Sequence, residues 1–120
     1  MTITQTPTIA KSDIDEIVRK TLSEIADTRF DYPVTFESGR YNANEKFIIE
    51  AGDFLATLSV TMSAYIHYEA SGFGTIEDES ISDVSLEELL YIDWDGTDTP
   101  VDLDSNTMRR LESMILFRQS

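Results

Sequence analysis

The chain has 120 residues, 41% of them hydrophobic, no cysteine and a formal net charge of −14. That is the size of a single domain able to bury about two thirds of its extended surface. The missing cysteines exclude a disulfide framework, a thiolate nucleophile and a thiolate metal site. All 9 basic side chains lie outside the window Phe47 to Met108 and are matched there by as many carboxylates, so the whole net charge arises inside it. Such a field repels nucleic acid and anionic membrane and attracts basic protein surfaces or divalent cations.

Residues 1–11 carry Thr2, Thr4, Thr6, Pro7 and Thr8 without a period and read as a flexible lead-in to one domain over 12–120. They lack the cationic and apolar regions of a signal peptide, and no stretch approaches the ~20 apolar residues of a membrane helix, so a soluble protein of the reducing cytoplasm is expected. Ser12 offers an N-cap with Asp15 at capping-box spacing, and Ile14, Ile17, Val18, Leu22 and Ile25 form one face of a helix to about Ala26.

Beyond Arg29, Val34 and Phe36 alternate with Thr35 and Glu37 as in a short edge strand that Gly39 closes. Lys46 to Glu50 is a second apolar run, and Gly52-Asp53 reads as a turn. The clearest period in the chain follows. Phe54, Ala56, Leu58, Val60, Met62, Ala64, Ile66 and Tyr68 share one parity, while Leu55, Thr57, Ser59, Thr61, Ser63, Tyr65 and His67 share the other. This predicts one antiparallel strand ~50 Å long with an apolar and a hydroxyl-rich face, bending or outrunning its sheet.

Ser71 to Ser82 reads as a loop carrying Glu77, Asp78 and Glu79. The next strand is expected from Asp83 to Trp94, with Val84, Leu86, Leu90, Ile92 and Trp94 on one parity, interrupted only by Glu88. Because Leu89 to Ile92 is apolar on both parities, the two helices are expected to cover this strand from opposite sides. Asp95-Gly96 marks a turn, Pro100 starts a short extended piece, and Asp104 or Ser105 caps a final helix. In that helix Met108, Leu111, Met114 and Ile115 face inward, Arg109, Arg110 and Glu112 outward, and Arg118 suits the C-terminal dipole. The expected fold is α+β, in the order α-β-β-β-β-α: an antiparallel sheet of about four strands packed by an N-terminal and a C-terminal helix.

Four groups of residues invite chemistry. Asp93, Asp95, Asp98, Asp102 and Asp104 form an oxygen-rich segment that a calcium ion could use, although Gly96 and Asp104 fall at the wrong positions for an EF-hand. Turn-forming aspartates between a strand and a helix are the commoner source of such a run. His67, the lone histidine, has no nucleophile motif beside it and reads as a surface residue. The row Thr57, Ser59, Thr61 and Ser63, with Tyr65 and Tyr91 adding aromatic contacts, is either a polar binding face or the solvated side of a sheet. Glu77, Asp78, Glu79, Asp83, Glu87 and Glu88 form the candidate acidic interaction surface, its plain alternative being solubility.

From Thr57 to Ile115, a long strand, an acidic loop, a strand, the Asp95-Gly96 turn, the Val101-Asp102-Leu103 segment and an acid-capped helix follow one another. This half of the chain resembles small acidic proteins of phages and mobile elements. The resemblance implies an origin and a cellular setting, with no reaction attached. The expected protein is thus a non-enzymatic accessory or inhibitor protein. It has no catalytic residue and no cofactor, it makes no direct contact with nucleic acid or membrane, and its acidic surface engages a basic protein surface. A cation-binding module on the Asp93 to Asp104 loop, or a small enzyme, is the alternative.

Overall fold

The computed structural model describes residues 9–117. Its elements are α1 (Lys11–Asp27), β1 (Gly39–Ala51), β2 (Phe54–Tyr68), β3 (Gly74–Ile92), β4 (Asp98–Pro100) and α2 (Ser105–Phe117), with the strands in one antiparallel sheet of order β1-β2-β3-β4. The α+β architecture expected from the sequence is therefore present.

The organising element is β2. Every even residue from Phe54 to Ile66 is buried, and every odd one is half-buried or exposed except Ser63. Its apolar face receives both helices. Ile17, Val18 and Ile25 from α1 and Leu111 and Ile115 from α2 join Leu58, Val60 and Met62 in one cluster. Both helices lie on this single face, contrary to the expectation that they flank β3, because only one parity of β2 and β1 is apolar enough to bury. The opposite face carries the hydroxyl row and is open.

Several elements begin or end elsewhere than the sequence predicts. α1 starts at Lys11 with Ala10 as N-cap; Ala10 has no side-chain acceptor, and Asp13 instead accepts the Ala10 N–H at 3.3 Å. Ser12 is thus inside the helix, and Ile9 already packs on the core, so the lead-in is shorter than expected; its remainder, 1–8, and Arg118 lie outside the described residues. Val34 to Glu37 is not a strand. Pro33 cannot donate to a ladder, and Phe36 sits at φ 61, a left-handed conformation outside the extended region that a regular ladder needs. The segment runs instead along the helix-side face, where Phe30 packs on Phe47 and Phe36 on Tyr68. Gly39 opens β1 rather than closing a strand, and β1 extends well beyond the expected Lys46 to Glu50. β2 outruns the helices without leaving its sheet, since it pairs with β1 as far as Ile66 and with β3 as far as Tyr68.

β3 begins at Gly74, so the stretch expected as a loop over Ser71 to Ser82 is strand from Gly74 on. Its parity also differs. Ile81, Val84, Leu86 and Leu89 are buried, while Leu90 and Ile92, expected in the core, are only half-buried and stand outside the cluster; Tyr91 takes the helix-side place against Phe54. Trp94 belongs to neither strand nor core and is 94% exposed.

Leu58 is fully buried and Ile48 is 68% exposed on the open face. Leu58→Ala should therefore cost about 2–5 kcal/mol of unfolding free energy and Ile48→Ala less than about 0.5 kcal/mol, measured by chemical denaturation.

Candidate interaction surface

Three β-bulges explain why the acidic residues are where they are. Thr57 pairs with Glu88 but Leu58 with Leu86; Thr61 pairs with Asp83 but Met62 with Ile81; Ser63 pairs with Ser80 but Tyr65 with Glu77. Each shift puts one extra residue on β3. Along the buried set the gaps Ile81 to Val84 and Leu86 to Leu89 each enclose two polar residues, Ser82-Asp83 and Glu87-Glu88, which both face solvent. A regular strand would drive one of each pair into the core. Slipping the register costs ladder hydrogen bonds but avoids burying a charge, which is the larger penalty. At the third bulge Asp78 takes φ 52, a conformation that Asp tolerates better than most residues.

All six candidate residues, Glu77, Asp78, Glu79, Asp83, Glu87 and Glu88, are exposed. They occupy one strand whose outer side, among the described residues, meets another strand only at β4, which pairs with Leu90, Tyr91 and Ile92. Compensation is sparse. Among the described residues one ion pair reaches them, Lys46 Nζ to Glu87 Oε2 at 3.1 Å, and Tyr32 Oη donates to Glu79 Oε2 at 2.7 Å. The Tyr32 phenol is held above its ordinary range, first by burial and then by that hydrogen bond and the Glu79 charge. A bulged, carboxylate-bearing edge is also how sheets resist edge-to-edge aggregation.

Glu112 does not point outward as expected. Its Oε2 accepts the Leu86 N–H at 2.8 Å, so α2 closes a β3 amide beside the Glu87 bulge. The signal for this lay in the polar residue at 112, one position from the buried Leu111.

The other groups separate. Asp93 Oδ1 accepts the Trp94 N–H at 3.0 Å and Asp95 Oδ1 the Thr97 N–H at 2.9 Å. Hydrogen bonds from Thr97 hold the Asp95 carboxyl below its usual range. These two carboxylates thus shape the turn between β3 and β4, and among the described residues no three acidic or histidine side chains converge as a metal site. In the hydroxyl row, Ser59 and Thr61 accept from Asn44 Nδ2 at 2.8 and 2.9 Å, and Ser63 from Arg40 Nη1 at 3.4 Å. Tyr65 and Tyr91 lie on opposite faces, so they form no common platform. His67 is exposed opposite Thr75 at the far end of β2.

Trp94, expected on the strand, also lies elsewhere. It stands free at the β3–β4 tip between Asp93 and Asp95; the Asp95-Gly96 turn is present, with Gly96 at φ 85, but the strand ends at Ile92 rather than at Trp94. No protein-family model, curated protein or solved structure matches this chain. No described helix is long and apolar enough to cross a membrane.

Glu112→Ala should cost about 1–3 kcal/mol, because the Leu86 N–H is left without a partner, and Glu112→Gln should restore most of it. Amide exchange at Leu86, accelerated in the alanine variant alone, distinguishes this from a general loss of helix packing.

Proposed function

We propose that this is a non-enzymatic accessory protein that docks a basic protein surface through the acidic edge of β3, with Trp94 as an aromatic anchor at the end of that strand. What carries the reading is one coincidence. An almost uncompensated row of exposed carboxylates ends at a tryptophan that is 94% exposed. Charge steers a basic partner to the edge, and a large amphipathic ring is the side chain most apt to supply affinity once there. The resemblance to small acidic proteins of phages and mobile elements fits a protein that acts on a host component in the cytoplasm.

The alternative, a cation-binding module on the Asp93 to Asp104 segment, has less support, since Asp93 and Asp95 are engaged by their own turn. A calcium titration followed by thermal unfolding should leave the midpoint unchanged; a rise that saturates with calcium would restore that reading.

For the docking surface, a partner captured from host lysate should associate more slowly as salt shortens the Debye length from ~30 Å at 0.01 M to ~10 Å at 0.1 M. Reversing Glu77, Asp78, Glu79, Glu87 and Glu88 to Lys should slow association far more, per charge, than reversing Asp13, Asp15 and Glu16 on α1. Trp94→Ala should instead act on dissociation, weakening binding by at least about tenfold. Equal effects per charge at the two sites, with an indifferent Trp94, would leave the acidic window as a solubility device.

A further inference from the structure

The sheet's other border is built differently. β1 pairs with β2 without a register shift from Gly39 to Ala51, and it contains no proline. The two-residue turn Gly52-Asp53, with Gly52 at φ 58, makes Ala51 and Phe54 a hydrogen-bonded pair. Odd residues of β1 therefore spend their backbone groups on β2, and even residues turn theirs outward. Two contacts agree with that parity. The Tyr68 N–H, directed toward the β1 side, donates to Ser38 Oγ at 2.9 Å, and the outward Glu50 carbonyl accepts from Lys20 Nζ at 2.7 Å. Lys20 thus ends the free run. Among the described residues, no hydrogen bond closes the outward amides of Arg40, Asn42, Asn44, Lys46 and Ile48.

We propose that this edge pairs with the same edge of a second copy, antiparallel and with the two-fold axis at Asn44, so that one sheet runs through both molecules. The free run from Arg40 to Ile48 is centred on Asn44, so this register uses all of it and leaves Lys20 in place. Charge selects the same register. With the axis at Asn44, Lys46 lies opposite Asn42 of the second copy, Arg40 lies opposite Ile48, and Glu50 is diagonal to Arg40. Moving the axis to Glu45 or Lys46 sets two like charges face to face, and moving it to Ala43 sets Arg40 against Lys46, each of which is destabilising in a sheet. β1 holds Arg40 and Lys46 against Glu45 and Glu50, so two copies of a chain of charge −14 meet along a neutral strand. A groove of about 490 Å³, walled by Lys20, Glu24, Ile48 and Glu50, lies at the Ile48 end of this edge. This surface is separate from the acidic β3 edge and stands whether or not that edge binds a partner.

Sedimentation of the full chain should give twice the monomer mass. Added salt should strengthen the association, because it screens repulsion between two acidic bodies; binding of a basic partner changes in the opposite sense. The chain has no cysteine of its own. Asn44→Cys should therefore form an intermolecular disulfide on mild oxidation, since directly opposed hydrogen-bonded residues lie about 5.5 Å apart between Cα atoms, within reach of that bond. Ile48→Cys, which faces Arg40 of the second copy, should not. Asn42→Pro removes an outward N–H that the monomer does not use, and it should yield a folded monomer by circular dichroism. A wild-type chain that stays monomeric at its highest soluble concentration overturns the proposal and leaves the edge to a strand from another protein. A dimer in which Asn44→Cys fails to cross-link overturns it as well.

Discussion

One strand with two unlike faces sets the terms for everything around it. Along β2 the even side chains are apolar and the odd ones are mostly hydroxyls, so a single face can be buried and both helices must share it. The neighbours then have to match that alternation. β1 does so residue for residue, and β3 does so only by slipping three times.

The slips follow from where the charges fall. An apolar set at Ile81, Val84, Leu86 and Leu89 cannot lie on one side of a regular strand, and burying Asp83 or Glu87 would cost several kcal/mol. Bulging turns those residues out in pairs. The same event roughens the β3 edge and crowds it with carboxylates, whereas β1, which needs no bulge, keeps a straight and neutral edge. The sheet thereby has two borders of opposite character, one suited to charge and the other to backbone pairing. Glu112 and Lys20 show how the helices finish each border, one by accepting a β3 amide and the other by donating to a β1 carbonyl.

Phe36 and Asp78 are the described non-glycine residues at positive φ, and they differ in meaning. Asp78 sits at a bulge on the acidic edge, where the conformation serves the register. Phe36 carries a bulky ring in a region that costs of order 1–3 kcal/mol, offset in part by its packing on Tyr68. Together with Pro33 it keeps the connection between α1 and β1 out of the sheet, which is why β1 rather than that segment is the border strand.

Periods in the sequence were enough to determine both helices, the long strand, the Gly52-Asp53 turn, the α+β class and the concentration of charge between Phe47 and Met108, because each of these rests on local spacing or composition. The apolar parity of β2 was legible for the same reason, and so was the face of α1 at Ile17, Val18 and Ile25; Ile14 and Leu22 are only half-buried, and Thr21, which donates its hydroxyl to the Ile17 carbonyl, takes a fully buried place. What only the tertiary structure decided was the phase of β3, the side on which the helices lie, the solvent position of Trp94 and the division into a charged and a neutral edge. The spacing from Ile81 to Leu89 is ambiguous on its own. It becomes a bulged strand only when the uninterrupted ladder partner β2 lies beside it and makes burial of each intervening carboxylate the more costly choice.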